Sequence, residues 1–121
     1  MKQKVTLELP YPPSLNHYYR HFRSRVLISA KGRAYRENVI SRVASDGIQK
    51  FSDKVTVVID AYPPDNRRRD ADNLEKCLFD SLVAGGVLTD DSLIKRHTTT
   101  MREAMLHTHG LVVVSIENYH E

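Results

Sequence analysis

The chain has 121 residues, which is enough for one hydrophobic core and too few for two ordinary domains, so residues 1–121 are predicted to form a single domain. Hydrophobic residues make up 40% and charged residues 27%, a balance that excludes a disordered chain. No apolar run reaches the roughly 18 residues of a membrane span, and the first ten residues lack the apolar core of a signal peptide. We therefore expect a cytoplasmic protein without a membrane partner.

The amino-terminal half predicts a strand, a loop and a helix. Residues 5–9 alternate between apolar and polar side chains, which is typical of a half-buried strand. Residues 11–27 contain two prolines, two adjacent tyrosines and several basic residues without a sustained apolar period, and they predict a long functional loop. A helix is predicted to begin after Ser29, a candidate N-cap, and to end near Gly47.

The second half predicts a strand, a helix and two further strands. Residues 55–62 form the strand, and the apolar Val58 on its polar face suggests that the strand is covered on both sides. Apolar residues at spacings of three and four predict a helix over residues 72–84. Strands are then predicted at 93–101 and 111–116, joined by a hairpin loop.

This order of elements predicts an α/β (α+β) fold, in which a mixed sheet is packed by two helices. Cys77 lies in the apolar stripe of the second helix, so we expect an inert buried thiol. Phe79 falls on the opposite side of that helix, where a monomer would expose it. A dimer contact or a covering loop would account for this ring.

The net charge of +3 is unevenly distributed along the chain. Residues 2–36 contain eight Lys or Arg and one acid, whereas residues 60–91 contain eight Asp or Glu and four Lys or Arg. A basic surface beside an acidic cluster suits a metal-dependent enzyme that acts on a polyanion. Solvated faces of many proteins show a similar asymmetry, so the distribution alone does not decide.

The most informative acids lie around the start of the second predicted helix. Asp70 and Asp72 are spaced to converge on a hard cation, and Mg²⁺ usually takes one or two carboxylates together with waters and phosphate oxygens. Asp91 is the candidate third acid, although Asp90 and Asp91 fit ordinary turn residues equally well. Lys76 lies one helical turn beyond Asp72 on the same face, so the two can share one site.

A purely structural interpretation competes with the metal site. Asp72 is a good N-cap, and Glu75, three residues later, would complete a capping box. That interpretation leaves Asp70, Lys76 and the three preceding arginines without a role.

The wider pattern resembles a known family. The R-R-R-D-x-D-N-L-x-K run at 67–76, with the later D-D at 90–91, resembles the signature of the RusA family of Holliday junction resolvases. The P-Y-P-P-S-L-N-H-Y-Y-R segment at 10–20, the A-Y-R around Tyr35 and the L-F-D at 78–80 are similar to other motifs of that family. The resemblance runs from the first predicted strand to the last.

The resemblance implies a specific activity and site. Three aspartates and a lysine are essential to cleavage in the family, and they match Asp70, Asp72, Asp91 and Lys76. The implied protein is a homodimer that binds a four-way DNA junction and makes paired nicks with Mg²⁺ or Mn²⁺, in DNA recombination and repair. Metal binding would fall to the three aspartates, and the lysine would sit against the scissile phosphate or steady the developing charge.

Basic residues around this window are candidate contacts to DNA phosphates. The assigned residues are Arg20, Arg23, Arg25, Lys31, Arg67, Arg68 and Arg69, with Arg33 and Arg36 as an extension. Tyr18 and Tyr19 are either stacking platforms for bases or a pair split between core and surface. His107 and His109 lack the further ligands of a zinc site and are interpreted as surface histidines.

Two other functions fit the residues. One is a DNA-binding module of the same fold whose acids serve only as caps and turns. The other is a metal nuclease that cuts other branched DNA or RNA, because the preference for four-way junctions depends on the resemblance and not on an identified residue.

Overall fold

A computed structural model describes residues 3–120, apart from the side chains of Leu15 and Asn16. The Asn16 side chain, which belongs to the segment at 10–20 that resembles a family motif, thus lies outside the described part. The elements, in chain order, are β1 (Lys4–Leu9), α1 (Leu15–Tyr18), β2 (Tyr19–Phe22), β3 (Arg25–Ile28), α2 (Ala30–Asp46), β4 (Val55–Tyr62), α3 (Ala71–Ala84), a 3₁₀ turn (Asp91–Leu93), β5 (Ile94–Met101) and β6 (Leu111–Asn118). Within residues 3–120, no helix combines the length and the apolar character needed to cross a membrane.

Four strands form a mixed sheet in the order β1-β6-β4-β5. Strand β6 is antiparallel to both β1 and β4, whereas β4 and β5 are parallel and are connected through α3. The predicted α+β fold, with a mixed sheet and two long helices, is confirmed.

The hydrophobic core lies on one face of the sheet. Alternate residues of β4 from Val55 to Ala61 are buried, together with Leu7 and Leu9 of β1 and with the buried residues of α2 and α3. Val58, on the other face of β4, is 40% exposed. The prediction that β4 is covered on both sides is therefore wrong, because both long helices contribute to the core on the same face.

Helix α2 begins and ends as predicted. The Ser29 hydroxyl accepts a hydrogen bond from the Gly32 amide at 2.9 Å, which satisfies one of the free donors of the first turn. Gly47 follows the last turn with φ 63°, a left-handed conformation that glycine adopts without steric cost.

Residues 11–27 are not the predicted unstructured loop. They contain the single-turn helix α1 and most of an antiparallel hairpin, in which Tyr19 pairs with Ile28 and Phe22 pairs with Arg25. The two strands were not predicted because the hairpin is largely exposed on both faces, and its strands therefore lack an alternation of apolar and polar residues. Its two-residue turn, Arg23–Ser24, also lacks the Asn-Gly type of signal that marks many hairpins.

The connection from β5 to β6 is not a hairpin either, because β4 lies between the two strands. The connecting segment, residues 102–110, crosses the end of β4 instead. The Arg102 amide donates to the Ala61 carbonyl and the Met105 amide donates to the Pro63 carbonyl, each at 2.7 Å. The crossing brings the end of this segment alongside the turn that follows β4.

The buried face of α3 is the one that the apolar stripe predicted. Its buried residues are Leu74, Cys77, Leu78, Ser81 and Leu82. The Cys77 thiol is fully buried, and burial, assisted by the negative charge of Asp80, raises its pKa to about 11. The expectation of a buried cysteine is confirmed, and a thiol with this pKa stays protonated near neutral pH.

Candidate active site

Helix α3 begins one residue earlier than predicted, and Asp70 is its N-cap. The Asp70 carboxylate makes no capping hydrogen bond, and Asp72 lies within the first turn. Neither aspartate takes part in an ion pair among the residues that the structure describes. Both carboxylates are exposed at a helix start, where the backbone dipole favours negative charge.

Glu75 does not complete a capping box, and so the predicted structural role of this acid is wrong. Its carboxylate instead accepts hydrogen bonds from the Thr99 hydroxyl at 2.5 Å and from Nδ1 of His97 at 3.0 Å. One turn later in α3, the Phe79 ring meets the His97 ring edge-on, with 5.6 Å between centroids. Since β4 and β5 are parallel and α3 connects the end of one to the start of the other, the helix runs antiparallel to β5.

The contact with His97 also explains how the Phe79 ring is partly covered in a single chain. Phe79 is half-buried and packs against the core of the same chain. Neither a dimer contact nor a covering loop is needed to account for it.

Asp90 and Asp91 have different roles in the turn before β5. The Asp90 carboxylate caps the 3₁₀ turn, accepting hydrogen bonds from the Ser92 amide at 3.2 Å and from the Ser92 hydroxyl. Asp91 is the first residue of that turn, is exposed, and takes part in no ion pair within residues 3–120. Asp90 is thus a structural turn residue, and the Asp91 carboxylate is accessible to a ligand.

The predicted trio of aspartates does not meet within one chain. The turn that begins at Asp91 precedes β5 and lies at the carboxyl end of the antiparallel α3, whereas Asp70 and Asp72 lie at its amino end. Because α3 has 14 residues, its two ends are about 20 Å apart. Accordingly, no group of three His, Cys, Asp or Glu side chains in the described part of the chain could hold a metal ion.

The arginine triplet and Asp70 do share one feature, a groove with a volume of about 730 Å³ at the start of α3. Its basic lining consists of His17, Lys31, Arg67, Arg68, Arg69 and His109. Tyr11, Pro12, Pro13, Pro64 and Leu74 contribute apolar surface. We call this feature the basic groove, and Asp70 is the single acid in its lining within the described part of the chain.

Arg69 is the fixed member of the triplet. It donates to the Asp65 carboxylate at 2.7 Å and lies over the Tyr11 ring at 5.4 Å, with 22% of its side chain exposed. The hydrogen bond from Arg69 and the amide of Arg67 together lower the pKa of Asp65 to about 2. Arg67, by contrast, is 83% exposed and is therefore available to a polyanion.

The remaining predicted contacts lie nearby or on the hairpin. Lys31 lines the basic groove, while Arg20, Arg23 and Arg25 are exposed on β2, its turn and β3. His109 also lines the groove, a position that its sequence surroundings did not indicate.

Arg36 does not extend the basic surface, because it pairs with Asp80 of α3 at 2.5 Å. The sequence predicts no role for Asp80, although this residue belongs to the L-F-D motif at 78–80. Tyr18 is fully buried against this pair and Tyr19 is half-buried, so the adjacent tyrosines are not free platforms for bases.

Comparisons with known proteins identify the family. The family model described as Endodeoxyribonuclease RusA matches residues 10–117. The chain is 44% identical over 91 residues to the crossover junction endodeoxyribonuclease RusA of Shigella sonnei (strain Ss046), a match that covers 74% of this chain and 75% of the relative. It is 43% identical, with the same coverage, to the protein of that name from Escherichia coli (strain K12). The counterpart from Enterobacteria phage 82 is 44% identical over 89 residues, covering 73% of this chain and 74% of the relative. The family match takes in nearly all of the described residues, and the chain therefore belongs to the RusA endodeoxyribonuclease family.

Proposed function

We propose that this protein is a structure-selective DNA endonuclease that resolves Holliday junctions by paired, metal-dependent hydrolysis of phosphodiester bonds, in recombination and repair. The observation that carries the proposal is the start of α3, where exposed carboxylates adjoin a groove with six cationic or titratable basic side chains. The groove suits a phosphate backbone, and the carboxylates suit the metal that such hydrolysis needs. The relatives named as crossover junction endodeoxyribonucleases support the same substrate. Such an enzyme would act in the cytoplasm, in line with its proposed DNA substrate.

The donor chemistry fits Mg²⁺, with Mn²⁺ as a substitute. Asp70, Asp72 and Asp91 offer hard carboxylate oxygens, and all three are exposed and free of ion pairs within the described chain. A bound divalent ion supplies a nucleophilic water and neutralises charge on the phosphoryl oxygens.

We further propose that each site is shared between two chains of a homodimer. Asp70 and Asp72 of one chain would face Asp91 of the other, because the length of α3 separates these residues within a chain. A two-fold dimer would form two such sites, one at each end of the interface. Two symmetric sites suit a substrate that is cut on two opposed strands.

The chain's own side chains have distinct tasks in the proposed reaction. Water attacks the phosphorus atom, and the bond to the leaving sugar oxygen breaks. Lys76 follows Asp72 by one helical turn, so its ammonium group lies on the same face as the acid and can stabilise the negative charge that grows on the phosphate. The basic groove holds the flanking phosphates and fixes the strand in front of these groups.

The test is incubation of the protein with a labelled synthetic four-way junction, with and without Mg²⁺, beside a linear duplex of the same sequence. Symmetric nicks in the junction alone, dependent on the metal, are the expected result. Equal cutting of both substrates would indicate a general nuclease. Tight binding without cutting would leave only a DNA-binding module.

The exposed arginines of the basic groove, Arg67 and Arg68, should contribute to DNA binding through phosphate contacts. Changing Arg67 or Arg68 to alanine should weaken binding of junction and duplex alike, because phosphate contacts carry no sequence information. Each lost contact should reduce the slope of log K against log salt by about 0.9. Titration at several salt concentrations measures that slope.

Lys50→Ala is the matched control, since Lys50 is exposed and lies outside the basic groove. A slope that changes as much in Lys50→Ala as in Arg67→Ala would contradict the assignment of phosphate contacts to the groove.

A further inference from the structure

The hairpin of β2 and β3, here called the basic hairpin, needs a firm attachment if its arginines are to act in a defined position. It forms a sheet of its own and, within residues 3–120, pairs with no strand of the main sheet. All residues from Arg20 to Val26 are exposed, including Phe22 and Val26. Since an isolated two-stranded hairpin is barely stable in water, its position is set at its base.

The backbone of Tyr18 provides the first attachment at that base. Its carbonyl accepts hydrogen bonds from the Ser29 amide and the Ser29 hydroxyl, both at 2.9 Å. Gly32 of α2 allows this approach, because a Cβ atom there would lie 2.3 Å from the Tyr18 carbonyl oxygen. The start of the hairpin is thereby held against the first turn of α2.

The side chain of Tyr18 provides the second attachment. Its hydroxyl donates to Oδ2 of Asp80, accepts from Nε of Arg36 at 2.9 Å and lies 3.1 Å from the Ser81 hydroxyl. Arg36 also donates to the same Asp80 oxygen through Nε at 2.9 Å and through its terminal nitrogen at 2.5 Å. Residues 18, 36 and 80, which we call the hub, thus join the base of the hairpin to α2 and α3.

The Tyr18 hydroxyl stays protonated across the physiological pH range. Burial of the Tyr18 ring, together with its hydrogen bond to Asp80, raises the pKa of the hydroxyl to about 12. The hydroxyl therefore remains a donor wherever the enzyme works. About a third of each side chain of the Arg36–Asp80 pair is exposed. Solvent therefore weakens the attraction between the two charges only in part, and the two groups keep part of their hydration.

On α3, Asp80 follows Lys76 by four residues and Asp72 by eight, so the three lie along one side of the helix. We propose that the hub is a positioning device, which fixes the basic hairpin relative to Asp72 and Lys76 so that DNA bound by the hairpin arginines is presented to the site. Tyr18 acts through the hairpin and does not touch the reacting phosphate. This inference rests on the proposed function, since it assigns the hairpin a DNA substrate.

The experiment is a double-mutant cycle in the full-length chain. Tyr18→Phe keeps the buried ring and the Arg36–Asp80 pair but removes the hydroxyl. It should weaken binding of a labelled four-way junction by roughly tenfold, the size expected for one lost hydrogen bond to charged groups. In a background in which Arg20, Arg23 and Arg25 are alanine, the same change should have no further effect, because the positioned groups are gone.

A merely structural role predicts a different outcome. In that case the effects of Tyr18→Phe and of the triple alanine change on binding should add. The control variant Ile116→Val, at a fully buried position in a strand of the main sheet, should then weaken binding as much as Tyr18→Phe does. Either result would overturn the proposal. If Tyr18→Phe does not fold, Asp80→Asn replaces it in the cycle, since asparagine keeps the shape and one acceptor oxygen.

Amide hydrogen exchange tests the hub without DNA. Tyr18→Phe should accelerate exchange in residues 20–27 and leave the amides of α3 unchanged. Unchanged exchange in the hairpin would contradict the hub. A wild-type chain that fails to bind or cut the junction would end the proposed function, and the hub would then be judged by hydrogen exchange alone.

Discussion

Replacing Asp72 with asparagine should lower the rate of junction cleavage by more than about 100-fold if this residue binds the proposed metal, since even changes to groups that merely support a metal ligand cost roughly 10- to 100-fold. The protein should stay folded, because the exposed Asp72 side chain has no ion-pair partner in the described chain and Asp70, not Asp72, occupies the N-cap position of α3. Loss of a negative charge from the first helical turn should reduce the free energy of unfolding by at most about 1 kcal/mol. Initial rates on a labelled junction and thermal unfolding followed by circular dichroism measure the two quantities.

Asp46→Asn is the matched control for this change. Asp46 is likewise an exposed aspartate in a helix, but it lies in the last turn of α2, away from the basic groove. Its cleavage rate should remain within a factor of two or so of wild type, given that surface changes are usually small. Near-normal cleavage by Asp72→Asn would remove the metal-binding role from this residue.

If each site is shared between two chains, as proposed, a mixture of two inactive variants should regain activity. Asp72→Asn and Asp91→Asn should each be inactive alone, but random exchange of chains would make about half of the dimers mixed, and one of the two shared sites in each mixed dimer would have both aspartates intact. Equal mixing should therefore restore about a quarter of the wild-type sites. The restored enzyme should nick one strand of a junction at a time, because only one site per dimer works.

The mixing experiment decides between a shared site and a site within one chain. If all ligands came from one chain, both sites of a mixed dimer would be defective, and mixing would restore nothing. Co-refolding of the two variants ensures chain exchange, and the wild-type chain mixed with Asp72→Asn gives the reference for dilution. Absence of recovery after proven exchange would contradict the shared site.

The elements that could be predicted from the sequence are those with a regular spacing of apolar residues or with a characteristic helix-capping residue. The apolar stripe of α3 and the caps of α2 at Ser29 and Gly47 correspond to physical requirements that are visible in single residues. The strands of the basic hairpin were not predicted, because exposed strands need no apolar alternation. The hairpin predicted between β5 and β6 was wrong, since strand order depends on long-range pairing that no local sequence pattern shows.

The residue types of the candidate site could be recognised in the sequence, but their arrangement could not. The acids and arginines around Asp70 were predicted from their types and spacing, and Asp70 lines the same groove as the three arginines. The position of Asp91 was not predictable, because it depends on the direction of α3 relative to β5. The partnership of Arg36 with Asp80 was also hidden, since 44 residues separate the two along the chain.

The position of β6 between β1 and β4 affects how the chain folds during its synthesis. During synthesis β6 is the last of the four strands to leave the ribosome, yet it pairs with β1 and with β4, and its pairs span the chain from Lys4 to Glu117. Such non-local pairing folds slowly. Until β6 arrives, β1 has no neighbour and one edge of β4 is open to other nascent chains or to chaperones. A message truncated before residue 111 would therefore yield a protein prone to aggregate, not a smaller enzyme.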